Sequence, residues 1–264
     1  MGGILVDGAV LSWEESDSRS ESHPGDPVVL LHAGVADARM WEPLLAHLEP
    51  RFRTIRLDLR GFGESRLVDA APYRPAEDVT AVLDVLGLDR VALVGASFGR
   101  LVALEVAATQ PERVSALALL AAPLPDHEWS AAARAFDERE EHAAASGDID
   151  QLVAMNAELW GHGSPIATAH IEDALRRALP DKLELDPEMI EIDPPVSGRL
   201  REIAMPTLVV VGDDDLEDFP RIAHRLVTEL PDARLEIIPG AGHLLALERP
   251  DESARLLVPF LEQA

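Results

Sequence analysis

The chain has 264 residues, 47% of them hydrophobic, enough for one domain with a sizeable core and an insertion. With 48 acidic against 23 basic residues the formal net charge is −25, which speaks against nucleic acid or an anionic membrane surface as a partner. The absence of cysteine excludes disulfides, thiolate metal sites and cysteine nucleophiles, so chemistry must come from serine, histidine and carboxylates. No apolar run reaches membrane-spanning length, and the first residues lack a basic region followed by an apolar stretch. A cytoplasmic protein is therefore expected.

Residues 4–6 and 10–13 flank Asp7-Gly8, a two-residue hairpin signal. Residues 14–27, rich in Ser, Glu, Asp, Pro and Gly, read as a solvated loop that includes His23. Residues 27–32 form a short, continuously apolar strand of the buried type, ending at His32-Ala33-Gly34. Helical spacing over 39–49 is followed by a strand at 52–58 and by the loop Asp58-Leu59-Arg60-Gly61-Phe62-Gly63-Glu64-Ser65. That loop fails as a dinucleotide fingerprint, because the third glycine is missing and no helix opens within it. An amphipathic helix at 76–87 ends at Gly87, a strand covers 90–96, a helix runs to Gln110 before Pro111, and a strand covers 114–120.

After Ala121-Ala122-Pro123 the alternation stops. Residues 126 to 200 carry helical patterns at 128–145, 148–160 and 166–179, then a proline-punctuated stretch through Asp193-Pro194-Pro195. Residues 205–212 resume the strand pattern, followed by a helix at 218–230, a strand at 233–238 and a final helix at 250–262. Strands alternating with helices define an α/β sheet interrupted by a helical insertion.

One segment carries chemistry. Residues 91–94 run apolar into Gly95-Ala96-Ser97-Phe98-Gly99 and on into a helical pattern, so the chain turns sharply from strand to helix at Ser97. Such a turn strains its middle residue and needs small neighbours. Ser97 would project at the carboxyl end of a buried strand, with the N–H of Phe98 beside it at the start of a helix. A serine needs a base within hydrogen-bond reach, which histidine supplies. Of nine histidines, only His243 lies in a Gly-flanked loop just after a strand on the crevice side. His23 lies in a polar loop, His47 and His224 on helices, and His127, His142, His162 and His170 in the insertion. The acidic run 213–218 offers Asp213, Asp214, Asp215, Glu217 and Asp218 to orient that base, and it lacks the EF-hand spacing of a calcium site.

Five motifs in chain order, namely His32-Ala33-Gly34, Asp58 to Ser65, Gly95-Ala96-Ser97-Phe98-Gly99, Gly212-Asp213-Asp214-Asp215 and Gly240-Ala241-Gly242-His243, resemble those of the α/β-hydrolase fold superfamily. The resemblance covers nearly the whole chain. It implies an eight-stranded, mostly parallel sheet flanked by helices, with one antiparallel strand and a helical cap inserted after strand six. The core would comprise 1–123 and 204–264, and the cap 124–203. It further implies a triad of Ser97, Asp215 and His243, with Asp215 matching Gly-x-x-Asp ahead of Asp218, Asp214 and Asp126. Phe98 and Gly34 would supply the oxyanion hole, although Ala33 replaces a usual glycine and keeps Val35 in contention. His32 is assigned a structural role. Arg100 stands where relatives commonly carry a glycine, and a carboxylate partner is expected for it.

Dehalogenases and epoxide hydrolases of this fold use an aspartate nucleophile, so a serine points to acyl transfer. The expected activity is hydrolysis of a small-molecule carboxylic ester, a lactone or enol-lactone, or a related C–C bond, through an acyl-enzyme on Ser97, with no cofactor and no metal. Trp129, Met155, Leu159 and Trp160 are candidates for lining the substrate pocket in the cap. The alternatives are a cofactor-free haloperoxidase or perhydrolase, and a non-hydrolytic member such as a ligand receptor or biosynthetic cyclase. The partner is a small-molecule substrate, without nucleic acid or membrane, and a homodimer is compatible with the sequence.

Overall fold

The runs Val28–Leu31, Val91–Ala96, Val114–Leu120 and Thr207–Gly212 are buried along their whole length, as strands covered on both faces must be. A computed structural model describes residues 1–16 and 26–263, so His23 and most of the 14–27 segment lie outside the described residues. Eight strands are numbered in chain order: β1 (Gly2–Val6), β2 (Ala9–Glu15), β3 (Val28–Leu31), β4 (Thr54–Asp58), β5 (Val91–Ala96), β6 (Val114–Leu120), β7 (Thr207–Gly212) and β8 (Ala233–Ile238). They form one sheet in the order β1-β2-β4-β3-β5-β6-β7-β8. β2 runs antiparallel to both neighbours and all other pairings are parallel. A two-residue strand, Arg66–Leu67, pairs antiparallel with β2 off this path, too short for any sequence pattern to reveal.

The helices are α1 (Glu42–Leu48), α2 (Pro75–Leu86), α3 (Phe98–Thr109), α4 (Ala131–Ser146), α5 (Ile149–Trp160), α6 (Pro165–Leu185), α7 (Asp218–Glu229), α8 (Leu245–Glu248) and α9 (Pro250–Leu261). Alternation along the buried strands divides the core between two faces. Val29, Leu93, Leu117 and Val209 pack with Val79 of α2, Val102 of α3 and Ile222 of α7. Leu30, Val94, Ala118 and Val210 pack with Leu44 of α1 and Phe260 of α9. The sheet is thus a rigid layer whose strand ends fix the positions of the loops that follow.

Three helices depart from their predicted bounds, α4 opening at Ala131 rather than 128 because the Ser130 side chain caps it by accepting from Ala133 N–H. The 39–49 pattern splits into a 3₁₀ turn, Ala38–Trp41, capped by the Asp37 carboxylate, and then α1. α6 continues through Pro180 to Leu185 instead of ending at 179. Leu179 and Leu183 pack against Leu152 and Met155, and the Lys182 ammonium sits 3.6 Å from the ring centre of Phe62, so tertiary contacts outweigh the amide lost at the proline. Helices α4, α5 and α6 all fall between β6 and β7, where strand alternation fails in the sequence. Among the described residues no helix is long and apolar enough to cross a membrane.

Candidate active site

β5 ends at Ala96, and Ser97 takes φ 48° and ψ −115° before α3 begins at Phe98. A non-glycine residue held there stores about 1–3 kcal/mol, maintained by its surroundings. Ser97 N–H donates to Leu120 O at 2.9 Å, and Gly99 N–H donates to His32 O at 3.0 Å, tying the elbow to the ends of β6 and β3. Glycine is required on both sides. A Cβ at Gly95 would meet the backbone of Arg100, and one at Gly99 would run into the carbonyl oxygen of Leu31. The Phe98 amide opens the helix, where no intrahelical acceptor exists for it. A side chain at Gly34 would begin 3.3 Å from Phe98 Cβ, so the segment after β3 lies directly against the elbow.

That segment is braced by His32 and Asp58. His32 Nδ1–H donates to Ala33 O at 2.8 Å while Nε2 accepts from Leu59 N–H at 2.9 Å, which fixes one neutral tautomer and joins the loops after β3 and β4. Burial lowers the imidazole pKa further, against the pull of Asp58. Asp58 accepts from the amides of Ala38 at 2.8 Å and Glu64 at 2.9 Å, and burial holds its carboxyl above the usual range. With both ring nitrogens engaged by backbone, His32 acts as a brace.

His243 follows β8, and its Nδ1 lies 2.9 Å from Asp215 Oδ2; the two side chains are 3% and 2% exposed. The other oxygen of Asp215 accepts from the Leu216 amide at 2.8 Å. Each competing carboxylate faces another group, and among the described residues only Asp218 Oδ2 is buried without a hydrogen-bond partner. Asp213 accepts from Gly240 N–H at 2.6 Å, and Asp214 faces His162 at 3.6 Å. Glu217 pairs with Arg221 at 2.8 Å, and Asp126 binds Arg225 through two contacts of 2.7 and 2.9 Å. Asp218 accepts from His127 at 3.0 Å and from Ser130 N–H at 2.8 Å, holding the start of α4. Nδ1 of His243 is thereby committed to Asp215, and Nε2 is the nitrogen left for a nucleophile.

Two aromatic rings flank this imidazole, Trp160 with centroids 4.4 Å apart and Phe219 at 4.5 Å. Trp160 Nε1–H donates to Asn156 Oδ1 at 3.0 Å, and Asn156 Nδ2 donates to Glu140 at 2.7 Å, so the indole is fixed from within α4 and α5. The four candidate pocket residues divide. Trp160 reaches His243. Trp129 packs one ring further out, against Phe219 at 5.8 Å and His127 at 5.2 Å. Met155 and Leu159 line a groove on α4 and α5 with Phe136, Arg139, Glu158 and His162. Phe219 and Asn156 escape sequence reasoning. Asn156 is four residues before Trp160, a spacing that places both on one helix face and is the only local signal.

The expected carboxylate partner of Arg100 is absent. Its side chain is fully buried, and none of its three guanidinium nitrogens has a hydrogen-bond partner among the described residues. Burial lowers its pKa to about 9. The acid on the same helix, Glu105, lies five residues on and points elsewhere, facing the segment that contains Glu191 and Ile192. Among the described residues no group of three or more histidines and carboxylates converges to hold a metal ion.

A serine on a strained elbow between a central strand and its helix, and an aspartate-bonded histidine beyond the last strand, are the kinds of group that acyl transfer uses. The chain belongs to the family described as alpha/beta hydrolase fold, whose sequence model matches residues 26–162. It is similar to the RutD protein of Klebsiella pneumoniae, to which carbamate hydrolysis has been ascribed, with 32% identity over 229 residues, 80% of this chain and 82% of that one. It is 29% identical to the 2-hydroxy-6-oxo-6-phenylhexa-2,4-dienoate hydrolase of Comamonas testosteroni over 92% of this chain and 90% of that one. A thermophilic esterase from Thermogutta terrifontis superposes with a TM-score of 0.78 at 25% identity, covering 97% of this chain and 94% of the other.

Proposed function

We propose that the chain is a serine hydrolase of small-molecule carboxylic esters or lactones that works through an acyl-enzyme on Ser97. The observation that carries this reading is the hydrogen bond between the buried His243 and Asp215 side chains, a contact that no other carboxylate among the described residues makes to this imidazole. His243 takes the Ser97 hydroxyl proton as Oγ attacks the carbonyl carbon, and Asp215 holds the resulting imidazolium. The Phe98 and Gly34 amides receive the developing oxyanion, each worth about 3–4 kcal/mol in the transition state. His243 then returns the proton to the leaving alkoxide, and a water molecule repeats the sequence on the acyl-enzyme. The names of the relatives, a carbamate hydrolase, a dienoate hydrolase and an esterase, support the reaction class. Residues 1–123 and 204–264 form the hydrolytic core in this reading, and 124–203 a cap that selects substrate. Trp160 of α5 against the catalytic imidazole supports that division.

The test is labelling with a fluorophosphonate followed by mass mapping, alongside turnover of a p-nitrophenyl ester. One adduct at Ser97 and none in Ser97→Ala is expected, with turnover lost in the same variant. Equal labelling of the alanine variant overturns the assignment.

A further inference from the structure

The loop that carries His243 is held by a side chain outside the Ser97, Asp215 and His243 set. Glu248, the last residue of α8, turns its carboxylate back along the chain: Oε2 accepts from Gly242 N–H at 2.7 Å and Oε1 from Leu244 N–H at 2.8 Å. The residue between those two amides is His243, so one carboxylate brackets the backbone of the imidazole. The main chain closes the same ring from the other side, because Leu244 O accepts from the amides of Leu247 and Glu248 at 2.9 Å each. Arg249 adds a further tie, its guanidinium donating to Gly240 O at 2.7 Å. Gly242 and Leu244 are buried, so their amides depend on Glu248 for a partner. On the far side the loop has no room to drift, since a Cβ at Gly242 would meet His162 Cβ at 2.6 Å.

We propose that Glu248 is a positioning residue for catalysis, fixing the backbone of His243 so that Nε2 points at the nucleophile while Asp215 sets the ring's tautomer. The inference rests on the reading of His243 as the base. The two anchors do different things. Asp215 holds Nδ1 but leaves the Cα free to shift, and Glu248 holds the Cα on both sides but leaves the ring free to rotate. A displacement of about 1 Å in such a group costs on the order of 100-fold in rate. Both carboxylate oxygens are in use, so an amide is no substitute: it offers one acceptor and turns a donor toward the second N–H.

The experiment compares Glu248→Gln, Glu248→Asp and His243→Ala in the full chain, using a p-nitrophenyl ester and the rate of fluorophosphonate labelling. Glu248→Gln is expected to lose about 10- to 100-fold in kcat with KM nearly unchanged, and to lose the same factor in labelling rate. Glu248→Asp, which keeps both acceptors on a shorter stem, should fall between it and the native chain. Native kcat in both variants, or a rise in KM with kcat intact, overturns the proposal. If the glutamine variant does not fold, the aspartate variant decides alone: a loss of kcat at unchanged KM and melting temperature supports the proposal, and native kcat overturns it. An active His243→Ala chain refutes the base assignment itself, whatever Glu248 does.

Discussion

Replacing Arg100 by methionine removes a buried charge that no hydrogen-bond partner among the described residues compensates, while keeping most of the buried stem. The guanidinium is fully buried and has no hydrogen-bond partner among the described residues, and burial lowers its pKa from the ordinary arginine range to about 9. At about 1.4 kcal/mol per unit, that depression means that burying the charged form costs nearly 5 kcal/mol. The sign follows from proton counting. Above about pH 9 the unfolded chain still binds the proton and the folded chain does not, so stability rises with pH there; below pH 9 both states are protonated and the whole cost is in place. Arg100→Met should therefore raise the unfolding free energy at pH 7 by about 3–5 kcal/mol, allowing for imperfect packing of the shorter side chain. At about 2 °C per kcal/mol for a chain of this size, the melting temperature should rise by roughly 6–10 °C. Calorimetry gives the shift, and ester turnover measured in parallel should change little. Arg100→Gly should gain less, because it also empties the volume of the stem. A methionine variant that melts at or below the native temperature would refute the reasoning and mean that the guanidinium has found a partner.

Asp215→Asn should lower kcat by about 10³- to 10⁴-fold, because an amide permits the wrong histidine tautomer, whereas Asp218→Asn and Asp126→Asn should leave it largely intact. Collapse of Asp126→Asn with Asp215→Asn active would move the acid to the loop after β6. Glu105 is buried near Glu191, and burial pushes its carboxyl up to about 7 from an ordinary 4.5. Between those values the folded chain holds the extra proton, so the stabilisation is complete below about pH 4.5 and is lost as pH rises through 7, up to about 3 kcal/mol. Urea unfolding at pH 5 and pH 8 should show this loss in the native chain and not in Glu105→Gln; parallel behaviour of the two would dismiss the effect.

Much of the architecture was legible because it rests on short-range rules. The strands at 114–120 and 233–238 fall on the residues that the sequence assigns, the first a run that is apolar except for Ser115 and the second an alternation in which Arg234 and Glu236 separate apolar residues. Asp7-Gly8 makes its hairpin, with Gly8 at φ 73°. What the residues themselves do not rank is a set of equivalent side chains, among which only the resemblance to Gly-x-x-Asp puts Asp215 first. The acidic run after β7 has several carboxylates close together in the chain, and only the three-dimensional course of the loop sends Asp215 to His243, Asp213 to Gly240 and Asp218 to α4. The expectation for Arg100 failed for a related reason. A pairing rule supplies the need for a partner but not a carboxylate within reach, and the helix turns Glu105 away. Glu248 lies beyond the five motifs read from the sequence, and its bonds go to backbone amides that any residue would present.

The order of strands in the sheet has a consequence for the chain as it is synthesised. Gly34 and Ser97 follow β3 and β5 at the centre, both complete in the first hundred residues, whereas Asp215 and His243 follow β7 and β8, which add last at one edge. A nascent chain that has folded its central strands carries a formed elbow without its base. An unactivated serine is inert toward acyl donors. In the proposed mechanism, reactivity arrives only when the edge strands dock, so ribosome-bound and truncated chains are spared acylation of their nucleophile.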